Sequence, residues 1–272
     1  MIHTNAIEVK VSDLLEFFSE SGYAVFPATD IRPLISLRLQ IFEKALAMFG
    51  GSSDDPEKYF NQFHKLSISG PALNEQRVQL IRACNGTIDS STLIFEAFRG
   101  PILDLLGPDL LVQKNPNFVI QQPHDPNPTE MHRDAPENSP YEIVVWLPLV
   151  DCCKTKTMNL LDLSHTKKVT QELNKDERWE SFVERCNQQA ISPDVPFGSA
   201  LIFWTALFHS APVNVESETR WSLNVRYKNL FSPNGMKDPF EFFKIFKLSP
   251  LTQLGLAFEK EDKLGTDNGS GD

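Results

Sequence analysis

Residues Thr219 to Tyr227 alternate strictly: Trp221, Leu223, Val225 and Tyr227 fall on one side, Arg220, Ser222, Asn224 and Arg226 on the other. A period of two excludes a helix and specifies a strand with one oily face and one polar, cationic face. Two arrangements satisfy that pattern. The strand can lie at a sheet edge with its polar face in water, or line a barrel interior where guanidinium groups hold a carboxylate through paired hydrogen bonds. The strand by itself leaves both open.

The rest of the chain changes period near Gly107-Pro108. Before it, apolar residues recur at helical spacing. Asp13 to Ser21 reads as a helix with Asp13 and Glu16 as a capping pair and Gly22 as its stop, followed by a short strand from Tyr23 to Phe26. Asp30 opens a longer helix through Leu34, Leu37, Ile41, Ala45 and Met48 to Gly50-Gly51. Asp55-Pro56 starts another, and two more run from about Asn74 to Cys84 and from Ser91 to Leu106. After it, Asn117 to Gln122, Tyr141 to Val150, Thr157 to Leu163, Ala200 to Thr205 and Thr219 to Lys228 are short β-branched or aromatic runs. Glu177 to Gln189 is the one helix expected among them. The reading is one domain over 1–258, helical to about 108 with a strand-rich core over about 109–245, then a polar, acidic, disordered tail over 259–272.

Composition narrows the partners. Of 272 residues, 41% are hydrophobic and 23% charged, a globular mix, and the net charge of −10 repels phosphate backbones and anionic lipid. Nucleic acid and membranes are therefore not expected as partners. The four cysteines, Cys84, Cys152, Cys153 and Cys186, lack metal or redox spacing and read as free thiols. With no basic-then-apolar start and no long apolar run, a cytoplasmic location is expected.

His132 and Asp134, in Met131-His132-Arg133-Asp134, alternate along an extended segment and so present both donors to one side. His209 follows the apolar strand Ala200 to Thr205. Taken alone, His209 reads first as a surface or capping histidine; Arg220 eleven residues later, with Ser222 two beyond, turns the reading toward a ligand. Two imidazoles and one carboxylate can hold Fe(II) and leave three octahedral positions open. A buried Arg with a hydroxyl neighbour suits the far carboxylate of a 2-oxoacid that chelates the same metal.

These residues sit in a wider resemblance. Leu14 to Leu46, with Phe17-Phe18 and Gly22-Tyr23-Ala24-Val25-Phe26-Pro27, resembles the opening of the phytanoyl-CoA dioxygenase superfamily of Fe(II)/2-oxoglutarate enzymes. Gln113 to Asn117, Val145 to Asp151, Arg220 to Lys228 and Phe231-Ser232-Pro233 are similar to a bacterial subgroup found among carbohydrate-biosynthesis genes. The likeness covers most of residues 12 to 245. It implies a mainly β fold with α, a double-stranded β-helix (a cupin-like jelly roll) flanked by N-terminal helices. It further implies Fe(II) on His132, Asp134 and His209, O₂ as oxidant, and 2-oxoglutarate anchored by Arg220. Ser222, Gln121 and Arg226 are further cosubstrate contacts on this reading. Ala211 departs from the superfamily, which often has Ser there. For Arg226, pairing with Asp134 ranks first, then holding an anionic substrate, then replacing Arg220 as anchor.

The implied activity is oxidation, foremost hydroxylation, of a small polar metabolite, sugar or nucleotide sugar, releasing succinate and CO₂. Two other classes remain open on the residues: a zinc hydrolase or isomerase using the same three ligands, which has no use for Arg220, and a non-catalytic sugar-binding jelly roll. Trp146, Trp204 and Trp221 read as core. His165 reads as part of a turn, and His124 lies in the loop before the triad.

Overall fold

A computed structural model of the chain describes residues 10–66, 70–173 and 177–265. In chain order the elements are α1 (Val11–Ser21), β1 (Tyr23–Pro27), α2 (Arg32–Phe49), α3 (Pro56–Asn61), α4 (Gly70–Thr87), α5 (Ser90–Ala97) and α6 (Arg99–Leu106). There follow β2 (Leu110–Gln113), β3 (Asn117–Gln121), β4 (Thr129–His132), β5 (Glu142–Pro148), β6 (Asn159–Leu160), α7 (Leu163–Gln171) and α8 (Trp179–Asn187). The chain closes with β7 (Ser199–Trp204), β8 (His209–Ala211), β9 (Arg220–Asn229), α9 (Pro239–Phe242), β10 (Phe243–Lys247) and α10 (Pro250–Gly265). No helix among the described residues is long and apolar enough to cross a membrane.

The strands form two antiparallel sheets. The larger runs β1-β7-β5-β9-β2-β10, with β3 also pairing to β9, and the smaller runs β4-β8-β6. Strand β9 is thus central, flanked by β5 on one side and by β2 and β3 on the other. Its oily face meets the N-terminal helices: the Trp221 ring lies 4.6 Å from Phe60 and 5.0 Å from Phe63, and Tyr227 donates its hydroxyl to the Ser91 carbonyl at 2.7 Å. Its polar face is buried too, with Arg220 2% and Ser222 1% exposed, so the edge-strand alternative is excluded. A strand covered on both faces can keep arginines only where the second face lines an interior that has a use for them.

Four layers result. The helices before β2 share one apolar core with the larger sheet, through Leu34, Leu37, Ile41, Phe95, Phe98 and Ile102. A second core of Met131, Leu161, Val169, Phe182, Cys186 and Phe208 seals the outside of the smaller sheet beneath α7 and α8. Between the sheets lies the polar interior. Gly22 makes the first turn possible, because it ends α1 at φ +80°, where a side chain would strain the backbone and crowd Leu207.

Several local expectations are corrected. Helix α1 begins at Val11, with Lys10 before it extended and making no side-chain cap, so Asp13 sits in the first turn instead of capping. The Ser91–Leu106 stretch is two helices broken at Phe98, because Pro101 has no N–H for a continuous ladder but is tolerated in the first turn of α6. The strand expected over Thr157–Leu163 shrinks to Asn159–Leu160, since Asp162 caps α7 and recruits His165 into its first turn. The tail expected to be disordered from 259 is helical to Gly265, its Glu and Lys residues being good helix formers; residues 266–272 lie outside the described residues.

Candidate metal centre

The paired short strands β4 and β8 place His132 directly opposite His209, with ring centroids 4.3 Å apart. Each imidazole is steered by its own backbone. His132 Nδ1 bonds the Glu130 carbonyl at 2.8 Å, and His209 Nδ1 bonds the Leu207 carbonyl at 3.0 Å. A carbonyl can only accept, so each Nδ1 carries a proton and Nε2 is the nitrogen each ring can offer to a metal. His209 is buried beside Phe203, and burial followed by the charge of His132 pushes its pKa down to about 4 against the pull of Asp134. The ring is therefore neutral at physiological pH.

Asp134 is fixed at both ends. Its backbone N–H donates to the Thr205 carbonyl at 3.0 Å, and its own carbonyl accepts from Asn138 N at 2.9 Å. In the side chain, Oδ2 accepts from Arg226 Nε at 3.2 Å and Nη2 at 2.6 Å, while Oδ1 lies 4.0 Å from His132 Nε2. Burial alone would raise this carboxyl, but Arg226 and then the imidazoles outweigh it and hold it below the ordinary range. One donor atom from each of His132, Asp134 and His209 lies within 4.8 Å of the others. Two imidazole nitrogens and one carboxylate oxygen form a donor set that fits a divalent first-row metal.

The Arg226 guanidinium is committed to Asp134 and, through Nη1, to Gln113 Oε1 at 3.4 Å. Gln113 also accepts from the Arg226 backbone N at 3.2 Å and anchors itself to the Asn115 carbonyl at 2.7 Å. Sequence reasoning missed Gln113: it lies 113 residues from its partner. Its only signal was membership of the Gln113 to Asn117 block.

Arg220 presents the opposite situation. It stands across from Gln121 on β3, and its one hydrogen bond among the described residues is Nη1 to the Thr157 carbonyl at 3.1 Å. Its Nε is buried without a partner, no described carboxylate pairs with it, and burial pushes its pKa down to about 10. Oxygens of Gln121, Thr157, Ser222 and Asn224 are likewise buried and unpartnered. Two of these residues, Arg220 and Asn224, line one cavity, where their unmet polar atoms mark space for a polar guest.

A cavity of about 170 Å³ joins these features: His132, Asp134, His209, Arg220 and Arg226 all line it. Ser222 and Gln121 do not, although Gln121, tied to the Pro212 carbonyl at 2.7 Å, borders a groove outside. Ala211 lines the cavity where the resemblance led one to expect Ser. Trp146 and Trp221 are buried, whereas Trp204 is half-buried and donates to the Pro140 carbonyl at 2.6 Å. His165 bonds Asp162 and stands apart from the cavity.

No protein-family model and no curated protein matches the chain. Solved structures do. A non-heme monooxygenase, ThoJ, covers 87% of this chain and 84% of its own at TM-score 0.52 and 18% identity. HygX from Streptomyces hygroscopicus, solved with nickel and 2-oxoglutarate bound, covers 83% of this chain and 90% of its own at TM-score 0.51 and 11% identity. At these identities the likeness shows a common fold: the chain shares the fold of these two proteins.

Proposed function

We propose that the chain is an Fe(II)- and 2-oxoglutarate-dependent oxygenase, its two sheets forming the double-stranded β-helix of that class. It would oxidise a small polar metabolite, such as a sugar or nucleotide sugar, foremost by hydroxylation. The observation that carries this reading is Arg220: a buried guanidinium without an acid, in the same cavity as the two imidazoles and the carboxylate. Bound there, iron supplies oxygen activation and C–H oxidation coupled to conversion of 2-oxoglutarate to succinate and CO₂. The chain's own work is placement. His132 and His209 offer fixed Nε2 lone pairs, Arg226 turns Oδ1 of Asp134 toward them, and Arg220 offers a charge-assisted contact to the far carboxylate. The apolar walls, including Phe203, Val144 and Trp146, keep bulk water out. A zinc hydrolase would find no use for Arg220.

Anaerobic addition of Fe(II) and 2-oxoglutarate tests the reading. A visible metal-to-ligand absorption band is expected with the intact chain and should be lost in His209→Ala. Folded protein that binds neither metal nor 2-oxoglutarate would defeat it.

A further inference from the structure

A second, larger depression of about 680 Å³ lies against the cavity, the two sharing Val119, Thr129 and Arg220 as a common wall. Its floor is β3, one side is α4, and the other is the loop from Gln122 to Asn127. Four amides belong to the lining: Asn74, Gln121, Gln122 and Asn127. Two of them carry buried atoms with no partner, Gln121 Oε1 and Gln122 Nε2. Gln121 is itself only 4% exposed, so that acceptor cannot simply turn to water. Such groups are met by ordered water or by a guest that displaces it.

The charge of the depression runs against that of the molecule. On a chain of net charge −10, the lining holds Arg77 and Arg220 and a single acid, Asp125. Asp125 is already spent on its own loop, its Oδ1 accepting from Asn127 N at 3.0 Å and Nδ2 at 2.9 Å. Arg77 is half-buried on α4 and no described carboxylate pairs with it. We propose that this groove seats the primary substrate and that the substrate is a polyhydroxylated molecule bearing an anionic group, phosphate or carboxylate, held by Arg77. The amides meet the hydroxyls, and the shared wall at Arg220 places the guest beside the metal cavity. The assignment of the guest as substrate rests on the oxygenase reading; the anion site itself does not.

Four probes on one ring test it: glucose 1-phosphate, glucuronate, glucose and glucosamine, titrated calorimetrically into the full chain, both metal-free and loaded with Ni(II) and 2-oxoglutarate. At least one acid should bind while glucose and glucosamine do not; the tighter acid identifies phosphate or carboxylate. Arg77→Ala should weaken the acid at least about tenfold, the loss of one charge-assisted contact. Arg77→Lys should recover part of it, and 2-oxoglutarate affinity should not move. Failure of both acids to bind, equal binding of glucose, or acid binding indifferent to Arg77→Ala overturns the proposal. Acid binding that depends on Arg77 in a chain that takes up neither metal nor 2-oxoglutarate would keep the groove and defeat the oxygenase reading.

Discussion

Replacing Arg220 with Met separates a cosubstrate anchor from a structural arginine. The substitution keeps an unbranched chain of similar reach and removes the charge. Burial brings the guanidinium down from its ordinary value to about 10; at about 1.4 kcal/mol per pH unit, the folded chain carries a cost of about 3 kcal/mol at neutral pH. The single bond to the Thr157 carbonyl offsets about 1 to 2 kcal/mol of it. Arg220→Met should therefore be as stable as the parent, or about 1 to 2 kcal/mol more stable. For 2-oxoglutarate the sign reverses. Two charge-assisted hydrogen bonds to a carboxylate are worth about 3 to 6 kcal/mol together, so affinity should fall by about a hundredfold or more. Thermal unfolding with Ni(II), with and without 2-oxoglutarate, reads both effects. At a hundred times the parent's Kd the ligand adds about 2.7 kcal/mol to the parent and should add about 0.4 kcal/mol or less to the variant. The reasoning fails if the variant is severely destabilised yet is still stabilised by 2-oxoglutarate as fully as the parent.

Two further outcomes concern the scaffold. Trp221→Ala should cost about 3 to 5 kcal/mol in urea unfolding, because the indole is packed between Phe60 and Phe63. The Kd for 2-oxoglutarate should stay unchanged, since the ring faces the helices; a loss under about 1 kcal/mol would contradict the packing. Asp162 caps α7 by accepting from His165 N and Ser164 Oγ, each at 2.8 Å. Burial would raise its pKa, but these bonds bring it below the ordinary value. Its stabilisation is therefore complete above the unfolded carboxylate pKa and fades as pH falls through the folded one. Asp162→Ala should cost about 1 kcal/mol at pH 7, and urea titrations should show that gap closing as pH falls below the ordinary carboxylate range; a gap independent of pH would rule out an ionised cap.

The alternation of Arg220 to Tyr227 was legible because both faces of β9 are in use, and each left its own periodic signature. Its central position was not, since nothing local distinguishes a solvated polar face from an enclosed one; the partners Gln121 and Thr157 come from distant segments. His132 and Asp134 could be paired from spacing, whereas the meeting of His132 with His209 depends on β4 and β8, strands of four and three residues, too short to show a period. Helix α7 was hidden for a related reason. Asp162-Leu163-Ser164-His165 has the composition of a turn, and only Thr166 and Val169 on its buried side mark it as helical.

Strand β9 carries Arg226, which steadies Asp134, and Arg220, which faces the other end of the cavity, six positions apart on one side of a strand held by β3 at its start and by β5 from Ser222 to Lys228. Such a strand behaves as a graduated ruler. Its marks fall every two residues, about 7 Å apart, because a single-residue slip would turn one guanidinium outward and shift the pairing with β3 and β5. The interval between the two ends of the chamber cannot drift by small steps. Evolution or design can reshape the loop from Gln122 to Asn127 far more freely than it can retune the separation of Arg220 from Arg226.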